Sequence, residues 1–379
     1  MNSGKQTLII SSPLDLHARA VAWGLQQFGA HVTYFDTSSA HTTNNAWYTA
    51  QPEGCAYSMG DTPTFQTVWD RRRFPKNTND QVSASDRKFV RNELMVFERN
   101  LLQLLERTRN VRWVDPHEKQ RAAENKLAQL SVALSCGLMI PRTLVGSDPF
   151  AVRQFVKANG KVVVKPFISH LWVENDRPRY EAATALITSD DTLADASISV
   201  CPAIYQGAVD KAADIRAVLI GDRVFATRYA VGTTGSDHID VRVNIRQGNV
   251  AEVSSIDLPA TVVEGFKAMA REFGITYASA DFLEDREGRL WFIDLNPVGQ
   301  FLFNESYLED LPLLDALVRH LLGIPPSAAN DNIHWKDYLE TADYQSYALE
   351  LADASGNAIQ PEPFWTAIGA ASPAEEAVV

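Results

Sequence analysis

Apolar positions along the chain fall into short alternating runs and helix-spaced stripes, which together predict a mixed α/β protein. Thr7–Ile10 reads as a first strand, Leu16–Phe28 closed by Gly29 as a helix, and HVTYFD ending at Asp36 as a second strand. Strand, helix and strand in close succession begin an open α/β sheet. No GxGxxG turn joins them, so dinucleotide binding gains no support. Residues 37–64 are polar and predict loops with short strands. FQTVWD is a further strand that runs into Arg71, Arg72, Arg73 and Pro75. Val90, Leu94, Phe97, Leu101 and Leu104 step by three and four, predicting an amphipathic helix from a Ser85 cap to about Arg107. VRWVD returns to strand character, and Pro116 opens one helix through Cys136, with Gly137 as its stop.

In the second half, Asp148-Pro149 starts a helix that ends at Asn159-Gly160, and the buried-type strand KVVVKPF follows. PAIYQGAV comes next, then a hairpin DIRAVLIG/DRVFATRYAV turning at Gly221-Asp222, the strand DVRVNI and a helix over Ala260–Phe273. Two acidic strands, SADFLED and RLWFIDLN, turn at Gly288, and Leu311–Leu322 is a final helix. After Pro326 the chain is small, polar and acidic, with isolated aromatics at Trp335, Tyr338, Phe364 and Trp365; it reads as an appendage, partly ordered at best.

With 379 residues, 45% of them hydrophobic, the chain can fill a large core and two or three structural units. A formal net charge of -12 disfavours an extended nucleic-acid surface. The three scattered cysteines, Cys55, Cys136 and Cys201, have no CxxC spacing and fit a reducing cytoplasm. No stretch is long enough to span a bilayer.

The chemistry concentrates in the two acidic strands. Residues i and i+2 of a strand share a face, so Asp294 and Asn296 point the same way, and an antiparallel turn at Gly288 brings Asp281 alongside. Three hard oxygen donors suit Mg²⁺; solvated carboxylates on an edge hairpin are the plain alternative. Lys165 ends the apolar run VVV, where a phosphate would compensate its charge, or it snorkels at a sheet edge. Lys126 lies on a helix with solvent-type neighbours. Gln206-Gly207 interrupts an extended run that suits either main-chain contact with an adenine edge or a β-bulge. Arg216, Arg228 and Arg242 lie on strands near the acidic pair, and guanidinium forks fit phosphate and carboxylate oxygens; salt bridges to Asp214 or Asp240 are the competing use. Asn244 shares a face with Arg242. Arg71–Arg73 is either a solvated loop or a contact for a carboxylate.

Taken in order, Lys126, VVVKP, Gln206, DIR, Arg242-x-Asn244, Asp281 and DLN resemble the ATP-grasp superfamily from about Arg121 to Gly323. A narrower resemblance, from about Thr7 to Gly323, is to the graspetide maturases, the microviridin-type ligases that crosslink a ribosomal precursor peptide. NPVGQFLFNE is similar to their NPxGQW-type segment, with Gln300, Phe301 and Glu305 in corresponding places, and DVR and WDRRRFP have counterparts.

The resemblance implies an α/β and α+β protein. Its parts would be a pre-ATP-grasp domain (1–120), a lid and central subdomain (121–200), a C-terminal subdomain with a metal site (201–326) and an extension (327–379). It implies that Lys126 and Lys165 hold ATP phosphates. Gln206, Gly207, Ala208 and Val209 would form the adenine hinge, and Asp210 or Asp214 would reach the ribose or position Arg216. Asn244 would join the nucleotide contacts; Asp281, Asp294 and Asn296 would coordinate Mg²⁺, and Arg216, Arg228 and Arg242 would bind the γ-phosphate and an acyl phosphate. The polar segment Ile168–Ala183 would be the lid. The partner would be a precursor peptide with a leader and a Ser/Thr/Asp/Glu-rich core, and homodimerisation is a further family-level expectation. Gly207 stands where the family commonly has an acidic residue, Asp294 where it commonly has Glu, and Phe301 for Trp; the extension has no counterpart. The rival readings are a ligase that adds a free amino acid to a carboxylate and a nucleotide-binding module without catalysis.

Overall fold

The structure is a computed structural model that describes residues 5–37, 46–58, 65–73, 82–108, 110–168, 171–174, 177–181, 184–191, 194–231, 250–308, 311–326 and 332–355. Three main sheets organise it. The first is parallel, in the order β2 (His31–Asp36), β1 (Gln6–Ser11), β5 (Thr67–Asp70), β6 (Arg112–Val114). Leu8, Ile9 and Ile10 of β1 are wholly buried because both faces are covered, as a parallel sheet requires. Helix α1 (Leu16–Gln27) packs on the side of Ile9, and α2 (Arg87–Glu106) seals the side of Leu8 and Ile10 with Leu101, Leu102 and Leu105. Contrary to the sequence expectation, α2 starts after Asp86, not Ser85, and has no side-chain cap. A hairpin of β3 (Trp47–Gln51) and β4 (Gly54–Ser58) lies in the polar stretch.

The single helix expected over Pro116–Cys136 is two, α3 (His117–Glu124) and α4 (Lys126–Ser135). Asn125 breaks it, because its side chain accepts from the N–H groups of Leu127 and Ala128 and so caps α4. Lys126 is thereby the first residue of a helix.

The second sheet is antiparallel, in the order β11 (Ala185–Thr188), β8 (Lys161–Lys165), β12 (Ala203–Gly207), β7 (Thr143–Gly146), with α5 (Pro149–Asn159) and α6 (Asp195–Ser199) packed on it. The expected lid segment holds a two-stranded hairpin, β9 (Leu171–Glu174) and β10 (Arg177–Glu181), instead of an irregular loop. The third sheet, also antiparallel, runs β15 (Val250–Ile256), β14 (Arg223–Val231), β13 (Lys211–Ile220), β16 (Tyr277–Asp285), β17 (Leu290–Asn296). One face, with Ile215, Ala217, Phe282 and Phe292, packs beneath α4 and α7 (Ala260–Phe273). The other, with Val218, Ile220 and Tyr277, meets α1 and α9 (Leu313–Leu322). The strand DVRVNI lies outside the described residues.

The extension departs from the expected appendage. Helices α10 (Trp335–Leu339) and α11 (Ala342–Ser355) bury Trp335, Tyr338 and Tyr347 in the same core as α1 and α9. Glu305, in α8 (Leu302–Tyr307), fastens this segment: its carboxylate accepts from Leu314 N at 2.9 Å and Trp335 N at 2.8 Å, and pairs with His334 Nδ1 at 3.2 Å.

Asp115 joins the first and third sheets. Its carboxylate accepts from Thr276 N (2.9 Å), Thr276 Oγ1 (2.7 Å) and Tyr277 N (2.9 Å), just where β16 begins. Burial pushes its pKa up to about 6, against the opposing pull of those donors. A carboxyl raised in the folded state stabilises most below its unfolded pKa of about 3.9, and that contribution fades as pH climbs through about 6. Asp115→Asn keeps the shape of the contact without a titrating group. The expected result is a urea midpoint whose decline between pH 4 and pH 6 is shallower than in the parent chain. Asp115→Ala orphans the buried Tyr277 N–H and the part-buried Thr276 N–H and is expected to cost about 2 kcal/mol.

Candidate active site

Residues from the second and third sheets and from α4 converge where β17 passes the end of β8. Asp281 and Asp294 are direct cross-strand partners, and Ser279 pairs with Asn296, so the three predicted oxygen donors share one face as their spacing requires. The ladder shifts after Asp281, with Phe282 opposite Phe292, and Ile293 is the extra residue of a β-bulge. The bulge lets Phe292 face the core while Asp294 turns to the opposite side, and it brings the Ile293 carbonyl to 3.5 Å from Lys165 Nζ. Gly288, at φ 78, makes the expected turn.

Cations surround the carboxylates. Lys126, at the start of α4, pairs with Asp294 Oδ1. Arg216, opposite Asp281 on β13, donates to Asp281 Oδ1 at 2.6 Å and to the Gln300 carbonyl at 3.4 Å, with its guanidinium 5.8 Å from the Phe303 ring. Lys165 arrives from the second sheet. Burial holds its pKa below the ordinary lysine range; Asp294 opposes that, Lys126 adds to it, and Asp281 opposes it again. A lysine so desolvated gains from an anion placed against it.

The arrangement fits a magnesium-borne phosphate. Among the described residues no three His, Cys, Asp or Glu side chains gather into a metal site; the donors are two carboxylates and an amide, the hard oxygens Mg²⁺ takes when water and phosphate complete its shell. One oxygen of Asp281 faces Arg216 and one of Asp294 faces Lys126, and the second oxygen of each has no hydrogen-bond partner among the described residues. Asn296 Oδ1 accepts from Val298 N at 3.0 Å and keeps its other lone pair. The buried Arg216 Nε has no acceptor among the described residues, an unused donor on the same guanidinium.

Other predicted residues stand elsewhere. Arg228 is a correction: it pairs in register with Ile215, on the core face of the third sheet, and donates to Glu284 at 2.5 Å. Alternation along β14 turns it away from Arg216 and Asp281. Gln206 lies within β12 without a bulge, and its amide donates to Thr143 Oγ1 at 3.1 Å. The N–H groups of Gly207 and Ala208 donate to Arg142 O and Lys161 O, so the adenine-edge donors expected there are engaged in the sheet. Val209 and Asp210 remain, in the short link that carries the chain from the second sheet to the third. Asp210 pairs with Arg286 at 3.0 Å and Asp214 with Lys211 at 2.7 Å. Arg242 and Asn244 lie outside the described residues.

Three features escaped the sequence reading: the helix start at Lys126, the bulge at Ile293 and the burial of Arg71, which is 1% exposed. Asn125 signals the first. The second shows in the three-residue spacing of the core positions Phe292 and Leu295. A run of three arginines gives no sign of which one turns inward.

Neither a family model nor a curated protein matches the chain. Solved structures do. A Chryseobacterium gregarium RiPP-associated ATP-grasp ligase, in complex with ADP and a leader and core peptide, is 19% identical over 87% of this chain and 100% of its own, with a TM-score of 0.75. The macrocyclase MdnC from Microcystis aeruginosa MRC, bound with precursor peptide MdnA, is 23% identical over 84% of this chain and 99% of its own, at 0.69. The ATP-grasp ligase PsnB, complexed with a phosphomimetic variant of its minimal precursor, Mg and ADP, is 21% identical over 83% and 98%, at 0.63. These likenesses establish the architecture, and the chain has the ATP-grasp fold.

Proposed function

We propose that this chain is an ADP-forming ligase that crosslinks a ribosomally made precursor peptide through the side chains of its Asp or Glu residues. The observation that carries the reading is the convergence of Lys126, Lys165 and Arg216 on Asp281 and Asp294 at the junction of two sheets. That convergence supports binding of a magnesium-borne triphosphate. The fold it shares with peptide-bound ligases supports a precursor peptide with a leader and a core as the partner, and the proposed chemistry calls for Ser/Thr and Asp/Glu side chains in that core.

In this reading a peptide carboxylate attacks the γ-phosphorus of ATP, giving an acyl phosphate and ADP. A hydroxyl or amine of the same peptide then displaces phosphate and closes an ester or amide, with loss of one water overall. Both first reactants are anions, so their approach must be offset by fixed positive charge. Lys126, Lys165 and Arg216 supply it from rigid elements, and preorganised charge of this kind is commonly the largest single contribution to such a reaction. Asp281, Asp294 and Asn296 would hold Mg²⁺, whose chemistry is to neutralise phosphate oxygens as charge moves. Holding both ends of one peptide together contributes up to about 7–11 kcal/mol in well-oriented systems.

The test is co-expression with short precursor-type peptides that carry a leader and end in a Ser/Thr- and Asp/Glu-rich segment. Intact-mass analysis is expected to show the peptide lighter by one water per crosslink, with ADP released in step. A gain of an amino-acid residue mass would favour the rival ligase, and an unchanged peptide without ADP release would refute the proposal.

A further inference from the structure

Arg71 leaves the end of β5 and is among the most buried charged side chains described, at 1% exposed. Its NH1 donates to the carbonyl of Val298 and, at 3.3 Å, to that of Gly299, while its Nε lies 3.6 Å from Asp15 Oδ2. Its NH2 is buried with no acceptor among the described residues. Around it stand Trp69, whose ring centre is 5.8 Å away, and His17, which burial and then Arg71 push down to about 3, so the imidazole is neutral. His17 packs on Phe301 at 5.2 Å.

The two carbonyls belong to the turn that follows the oxygen donors of β17. Asn296 Oδ1 accepts from Val298 N, Gly299 N donates back to Asn296 O at 3.2 Å, and Tyr277 OH donates to Gly299 O at 2.6 Å. The next carbonyl, Gln300, is the one that Arg216 meets. Three successive carbonyls thus answer to two guanidinium groups, one from the first sheet and one within the active site. The turn has little room to shift, since a Cβ on Gly299 would lie 2.5 Å from Ser279 Oγ. Arg71 also faces the buried carboxylate of Asp15, so an apolar residue in its place strands that carboxylate and lowers stability. That pairing accounts for Nε; the grip of NH1 on two carbonyls of the turn is a second contact that the ion pair does not require.

We propose that Arg71 is a positioning residue. By gripping the Val298–Gly299 turn it sets where Asn296 and the Gln300 carbonyl stand, and through them the aim of Arg216 at the transferring phosphoryl group. The proposal rests on the ligase reading above. It makes the first sheet a support of the phosphoryl-transfer apparatus in addition to its own fold.

Arg71→Met tests it, with ADP release measured using MgATP and the same precursor-type peptide. Misplacement of catalytic geometry by about 1 Å costs on the order of 10²-fold. The expected result for folded Arg71→Met is a kcat lower by about 10²-fold and a KM for ATP within about threefold of the parent value, with a melting temperature below the parent's because Asp15 loses its counter-charge. Arg71→Lys keeps the charge beside Asp15 and reach to one carbonyl; its kcat is expected to fall about tenfold, and it serves if the Met variant does not fold. A parental kcat in either folded variant overturns the proposal, as does a change confined to the KM for ATP. A parent chain that itself releases no ADP with the peptide refutes the functional reading, and this inference with it.

Discussion

Asp294→Ala is expected to lower peptide-dependent ADP release by on the order of 10³-fold while leaving the fold intact. Asp294 is where three separate elements meet: its own strand, the start of α4 through Lys126 and the end of β8 through Lys165. Removing its carboxylate takes away a proposed metal ligand and leaves the two lysines facing each other with Asp281 as the remaining counter-charge. The fold is spared because the side chain is a third exposed, at 33%, and the Lys126 it releases is 27% exposed, so both losses are softened by water. Circular dichroism together with a coupled ADP assay separates the two effects. A folded variant with parental turnover would remove the metal assignment and the main support of the ligase reading.

Arg216→Ala is expected to cost about 10³-fold in kcat, the lower range for an arginine that stabilises charge in phosphoryl transfer. Binding of a non-hydrolysable ATP analogue is expected to change far less, since the lysines and the inter-sheet link remain. Arg228→Ala is the natural control. Arg228 stands on the opposite face with Glu284, and turnover within about threefold of the parent is expected, in keeping with the small worth of partly exposed pairs. Single-turnover measurement of ADP formation distinguishes the two arginines. Equal losses would mean that strand alternation is the wrong guide to this site.

Period-two and helix-period patterns made most of the architecture legible, and the oxygen donors with it. Asp294 and Asn296 are two apart on one strand and Gly288 marks the turn, while Asp281 falls opposite Asp294 through the bulge at Ile293. What stayed hidden depends on long-range packing. Lys126 is 168 residues from the carboxylate it meets, and only the folding of α4 along β17 joins them. Arg228 looked equivalent to Arg216 because both are arginines on neighbouring strands; register, which sequence does not display, sends them to opposite faces. Sequence likewise does not display that, in the expected hinge Gln206–Val209, the N–H groups of Gly207 and Ala208 are engaged by Arg142 O and Lys161 O. The chain after Pro326 looked like an appendage because its few aromatics are isolated in sequence, although Trp335, Tyr338 and Tyr347 gather against α1 once folded.

The carboxylate of Glu305 also bears on how this protein could be recombined with others of its architecture. It lies nine residues before Leu314 and thirty before Trp335, and it binds the N–H groups of both. In a chimaera, the segment after β17 and helices α10 and α11 would have to come from the same parent, because a foreign terminus lacking the His334–Trp335 contacts would leave a buried acid with Leu314 N alone of its three partners. The natural crossover point therefore lies upstream of Asn296, not at Pro326.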